Sequence, residues 1–121
     1  MAVTRVHQRQ IVYLNYHFVD PVETLPHPAL VVSTDELQDE EGGFYAVLIS
    51  SKNHHPQYTL EIKEEDLIGS DRLDKQSFYV THMMSYFSYN DVISNYNLFV
   101  KKERFNQVVN KVIDSIFGPE E

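Results

Sequence analysis

A histidine held between two prolines is the residue of this sequence best suited to moving a proton: His27, in Pro26-His27-Pro28. The proline rings restrict the backbone on either side and lower the entropy lost in fixing the imidazole. An unperturbed imidazole titrates near pH 6.5, so it can take or give a proton near neutrality. The same position also suits an ordinary loop histidine fixed by its turn. Ser50 and Ser51 end the longest apolar run, residues 44–49 (FYAVLI). A hydroxyl at the rim of a sheet can donate to a phosphate oxygen, or it can simply begin the next loop. His82 sits inside a strand-like stretch, and its register decides whether it faces such a cleft or bonds within the sheet. Arg5, Arg9 and Lys52 are the cations that add charge if the fold brings them close.

Other chemistries find little support. The six histidines include no H-E-x-x-H or H-x₃-H pair, and His54-His55 are adjacent in a polar loop where neighbouring side chains diverge. No metal site is expected. Gly42-Gly43 lacks the lysine and the strand-to-helix setting of a phosphate loop, so no nucleotide cofactor is expected. Zero cysteines remove disulfides, thiolate catalysis and cysteine-based zinc sites together.

The elements that must position these groups are mostly strands. Residues 10–18 (QIVYLNYHF) are β-branched and aromatic, with Val12, Leu14, Tyr16 and Phe18 at period two. Asp20-Pro21 breaks the run, and residues 25–28 (LPHP) read as an extended loop before a short buried strand at 29–33. Ser33 and Glu36 have capping-box spacing, which predicts one helical turn within the acidic segment 34–43. Residues 44–49 read as a central strand buried on both faces. Tyr58, Leu60 and Ile62 alternate with polar residues, and Leu67, Ile68 and Leu73 pin a charged connection over 63–75. Residues 77–84 and 96–100 complete the strands, while 86–95 is ambiguous. Over 102–117 the spacing predicts a helix whose stripe is Phe105, Val108, Val109, Val112, Ile113 and Ile116, stopped by Gly118-Pro119. Many short strands before one helix favour a partly closed barrel or curved sheet, mainly β, over a layered α/β fold.

The 121 residues hold one domain, with 42% hydrophobic residues and a formal charge of −8. That charge argues against broad adhesion to nucleic acid or anionic membrane, yet leaves room for a specific groove. No apolar run approaches the roughly 20 residues of a membrane span, and residues 1–9 lack a signal-peptide core. A cytoplasmic protein with no membrane partner is expected.

Taken in order, QIVYLNY, HPALVVS, FYAVLISS, SFYVTH and KKERFNQVVNKVIDSIFG resemble the blocks of the PemK/MazF-like toxin family across about residues 9–118. The resemblance implies a small SH3-like barrel with a C-terminal helix, a homodimer, and metal-independent cleavage of single-stranded RNA held in check by a cognate antitoxin protein. It also implies roles for positions. His27 stands where the family carries a catalytic or phosphate-stabilising arginine, and Ser50, or Ser51 if the register slips, stands where it carries a threonine. Losing the arginine removes a permanent charge and a two-pronged phosphate grip, whereas the hydroxyl is kept. His27 and Ser50 are therefore the expected catalytic residues, with Ser51, Lys52, Arg9 and His82 binding substrate. Tyr13, Tyr16, Tyr45 and Tyr58 offer stacking surface for unpaired bases, although most aromatics of a small barrel are core. Gyrase-poisoning relatives of this fold supply the alternative: a toxin-fold protein without nuclease activity that binds a protein partner, or a decayed family member.

Overall fold

The computed structural model describes residues 5–17, 24–53 and 55–120. Among these residues, the strands are β1 (Gln10–His17), β2 (Thr24–Val31), β3 (Gly43–Ser50), β4 (Thr59–Glu61), β5 (Leu67–Ile68), β6 (Phe78–Ser88) and β7 (Val92–Val100). The helices are α1 (Asp35–Glu41) and α2 (Lys102–Phe117), and single 3₁₀ turns occur at Pro56–Tyr58, Glu64–Asp66 and Tyr89–Asp91. One antiparallel sheet in the order β4-β6-β3-β2-β1-β7-β5 curves into a half-barrel. Its two edges are short, three and two residues long, which leaves little unpaired ladder to template aggregation.

Adjacent residues of a strand point to opposite faces, and here both faces are packed. Ile11, Leu30, Val47 and Ile49 join Tyr79, Leu98 and the α2 residues Phe105, Val108 and Val112 in one core. Val12, Leu14, Tyr16, Ala29, Val31, Ala46 and Leu48 join Val6, Phe44 and Phe87 in the other. Burying each large apolar side chain contributes about 1.5–3 kcal/mol. Among the described residues no helix is long and apolar enough to cross a membrane.

The helical stripe of α2 is narrower than its spacing predicts. Val109 packs against the core, but Ile113 and Ile116 are 50% and 38% exposed, because the face turned to the sheet runs through Phe105, Val108 and Val112 to Ser115, which meets Thr81 of β6. The helix is tied at its other end, where Arg104 donates to the Glu61 carbonyl and lies beside the Asp66 carboxylate.

The cap of α1 is Thr34, one residue later than expected: its hydroxyl accepts from the Leu37 N–H. Ser33 Oγ is occupied instead by the Tyr45 N–H. Gly42 closes the helix at φ 74°, a left-handed conformation natural to glycine. Segment 86–95 resolves into the end of β6, a 3₁₀ turn and the start of β7.

The largest departure from the sequence reading is that Leu25-Pro26-His27-Pro28 lies inside β2 rather than in a loop. Proline cannot donate to a ladder, so it is confined to places where no donor is needed. Pro26 and Pro28 stand opposite Asn15 and Tyr13 of β1, and the β3 ladder on the other flank of β2 has already ended at Ala29. The prolines fit because that flank is open.

Candidate functional site

The opening between β2 and β3 is where the site forms. The ladder pairs Val31 with Ala46 and Ala29 with Leu48, then stops. Carried two residues further, the same register would face His27 with Ser50. Beyond the end of this ladder β3 continues to Ser50 paired only with β6, and depressions open where β2 and β3 part. The larger, about 720 Å³, is lined by His27, Leu48, Ser50, Ser51, Lys52, His55, Thr59, Val80, His82 and Met83. The smaller, about 490 Å³, is bordered by His27 and Ser51 again, with Tyr13, Tyr96, Arg72 and Lys75 among its walls.

The strand β6 turns His82 into the larger cleft. Thr81 is fully buried, its hydroxyl bonded to the Tyr58 carbonyl and 2.8 Å from Ser115 Oγ of α2. With Thr81 pinned toward the helix, the alternation of the strand sends Val80 and His82 the other way. The β3–β6 register shifts between Val47 and Ile49, and Tyr16 OH holds the Met83 carbonyl at 2.7 Å in that irregular stretch. The His82 ring packs 4.6 Å from Tyr58 and edge-on to His55 at 5.8 Å.

His27 and His82 share a cleft but differ electrostatically. Burial pushes the His27 imidazole below its ordinary pKa, while a hydrogen bond to the Ile49 backbone pulls partly the other way. Such a bond favours the charged ring, so the acceptor is the carbonyl and one imidazole N–H is the donor. The second ring nitrogen then carries the lone pair of the neutral form. Burial also lowers His82, followed by the proximity of His55. His82 Nδ1 is shut off from solvent and, among the described residues, has no hydrogen-bond partner.

Of the residues singled out from sequence, His27, Ser50, Ser51, Lys52 and His82 come together. Arg9 does not. It adopts φ 77° just before β1, its backbone bonds to Val31 and Val100, and it lines neither depression. His27 stands opposite Leu14, five residues along the strand direction, roughly 16 Å away at the usual strand rise. Arg5 is likewise engaged elsewhere, by Asp39 and Asp35 of α1. Of the tyrosines, Tyr16 is core and Tyr45 pairs edge-on with Tyr86 outside the cleft, whereas Tyr58 flanks His82. His55 and Thr59 were not anticipated; only the polarity of the loop that carries His55 and of the outward face of the strand that carries Thr59 hinted at a surface role. His54 lies outside the described residues. Among the described residues no group of three or more His, Cys, Asp or Glu is arranged to hold a metal ion.

The backbone closely follows a crystal structure of MazF from Deinococcus radiodurans, with a TM-score of 0.71 over 90% of this chain and 94% of that one. The fold is that of the MazF toxins. Sequence identity to that protein is 13%. A MazE-MazF structure from Deinococcus radiodurans aligns at 0.68 and 13% identity, over 90% of this chain and 94% of the other. An endoribonuclease in complex with its cognate antitoxin, from a mycobacterial species, aligns at 0.66 and 13% identity, over 98% and 99%. No protein-family model and no curated protein matches the sequence. The likeness therefore lies in the MazF-like half-barrel and C-terminal helix.

Proposed function

We propose that this chain is a toxin-type endoribonuclease that cleaves single-stranded RNA without a metal in the cleft between β2, β3 and β6. One observation carries the reading. The chain has 18 acidic residues, yet none of the ten described residues lining this cleft is Asp or Glu; three are histidines, one is Lys52 and three are hydroxyl-bearing. A phosphodiester strand would meet donors there and no carboxylate, whereas the protein as a whole repels it.

The lone pair of His27 takes the proton of a ribose 2′-OH, and the 2′ oxygen bonds to phosphorus. The P–O5′ bond breaks, and its electron pair leaves on the 5′ oxygen, which takes a proton from water at the cleft mouth. The products are a 2′,3′-cyclic phosphate and a 5′-hydroxyl, and His27 returns its proton to solvent. Ser51 Oγ, Ser50 Oγ and the Lys52 ammonium face the charge that builds on the phosphoryl oxygens. Ser50 already accepts from the Lys52 N–H at 3.1 Å, which leaves its own O–H to donate.

The reading extends to a cytoplasmic homodimer restrained by an antitoxin protein; one of the similar structures is an endoribonuclease in complex with its own cognate antitoxin. Exposed Ile113, Ile116 and Phe117 at the end of α2 provide apolar surface for a protein contact. The same surface favours the second reading, a toxin-fold protein that acts by binding a protein. Incubating purified protein with defined single-stranded RNAs, with EDTA present, and mapping the product ends tests the choice. Discrete cuts with cyclic phosphate ends support the nuclease. Intact RNA from a protein that still arrests growth on induction supports the protein-binding alternative.

A further inference from the structure

We propose that His82 is an uncharged hydrogen-bond donor, through Nε2–H, to the phosphoryl oxygens of a strand bound in this cleft; this rests on the ribonuclease reading and assigns a role within it. An imidazole in a cleft can move a proton or can hold one and donate a hydrogen bond. The surroundings of the ring choose between these.

Among the described residues, His82 Nδ1 has no hydrogen-bond partner, and it has no contact with solvent. An N–H placed there would be a buried donor without an acceptor, which native structures rarely tolerate. The proton of the neutral ring therefore sits on Nε2. A charged ring would need N–H groups at both nitrogens, so the same orphaned position opposes protonation, in the direction burial and His55 already push. His82 lines the cleft, and Nε2 is the nitrogen not sealed inside.

The ring is also held still. Tyr58 lies against it at 4.6 Å, His55 meets it edge-on at 5.8 Å, and the anchored Thr81 beside it fixes the backbone. A donor fixed before substrate arrives needs no reorganisation when charge develops, which is what makes such groups effective. His27 is arranged the opposite way: its N–H is given to the Ile49 carbonyl, so in the neutral ring the other nitrogen is the proton acceptor. Two imidazoles in one cleft thus hold complementary forms, one accepting and one donating. The other groups facing His82, namely His55, Lys52 and the Thr59 hydroxyl, add no carboxylate that would draw it into the charged state.

The first test is single-turnover cleavage of single-stranded RNA by His82→Leu and His82→Gln, each checked for an unchanged melting temperature. Leucine removes the donor and should lower the rate by about 10²- to 10³-fold at unchanged RNA affinity. Glutamine keeps an N–H donor that does not titrate, and should recover much of the rate with the parental pH profile. Parental activity in His82→Leu, or loss of one limb of the pH profile in His82→Gln, overturns the proposal. The second test needs no cleavage: nitrogen-15 NMR of the histidine rings at pH 7, before and after adding a 2′-deoxy strand that cannot be cut. The expected result is a neutral His82 with its proton on Nε2 and a shift of that resonance on binding. A proton on Nδ1, a charged ring, or an unmoved His82 while His27 responds refutes the donor. If neither His27 nor His82 responds, the RNA reading itself falls, and the donor role falls with it.

Discussion

Among the described residues, His27 and Ser51 alone line both depressions, so together they form the ridge between them. A strand crossing from one hollow to the other passes over an imidazole and a hydroxyl in succession. Among the described residues no hydrogen bond engages Ser51 Oγ, unlike Ser50, whose hydroxyl accepts from the Lys52 N–H. Ser51→Ala should therefore slow RNA cleavage by about 10²-fold with unchanged stability, the worth of one donor to a developing oxyanion. Ser50→Ala should also loosen the 50–52 turn, so it should lower both rate and melting temperature. Equal, negligible effects of both on the rate would remove the hydroxyls from the reaction.

Acidity should switch the reaction off below neutrality. His27 acts as base only when neutral, and burial holds its pKa below the ordinary imidazole value of about 6.5. The cleavage rate should rise with pH through a value under 6.5 and level off near neutrality. An acid limb centred above 6.5 contradicts the assignment.

Stability should follow the same groups. For His27 and His82 the folded-state pKa is depressed, so the unfolded chain binds more protons as pH falls. Their stabilising contribution is complete above about 6.5 and is lost as pH drops through the lowered folded values. Thermal unfolding followed from pH 8 to pH 5 should show this decline, and a variant with both rings replaced by glutamine should show a shallower one.

Two neighbouring turns of α2 should respond differently to the same change. Val112 is 5% exposed in the core, so Val112→Asp should cost several kcal/mol. Ile116 is 38% exposed, so Ile116→Asp should stay within about 1 kcal/mol. Denaturant unfolding of both variants checks the pair. A large loss from Ile116→Asp alone would show that the end of the helix is covered in solution, as a dimer would do, and light scattering would then give twice the chain mass.

Much of this architecture is legible in the residues. Period-two alternation in β1, the apolar run of β3 and the long stripe of α2 each reflect burial, and burial writes a regular pattern. The proline-flanked segment is not legible in this way. Pro26 and Pro28 usually signal a loop, and only the missing β3 neighbour makes them compatible with a strand, a fact that depends on pairing and not on local preference. Ser33 lost the cap to Thr34 because Tyr45, twelve residues on, claimed its hydroxyl. The cleft was half visible: His27, Ser50, Ser51 and Lys52 stand out by type and position. His82 needed the side chain of Thr81 to fix which way the strand faced, and Arg9 was separated from the site by a distance along β1 that composition does not reveal.

The proposed cleavage depends on His27. The direct measurement is single-turnover cleavage of a defined single-stranded RNA by the parent chain, His27→Ala and His27→Arg, with EDTA present and contaminating nuclease excluded by a mock purification. His27→Ala should fold and bind RNA as the parent does and cleave it about 10²- to 10⁴-fold more slowly, the range for one positioned proton-transfer group. His27→Arg should bind RNA more tightly through its fork of donors while losing the parental pH dependence. Cleavage by His27→Ala at the parental rate would contradict the central claim.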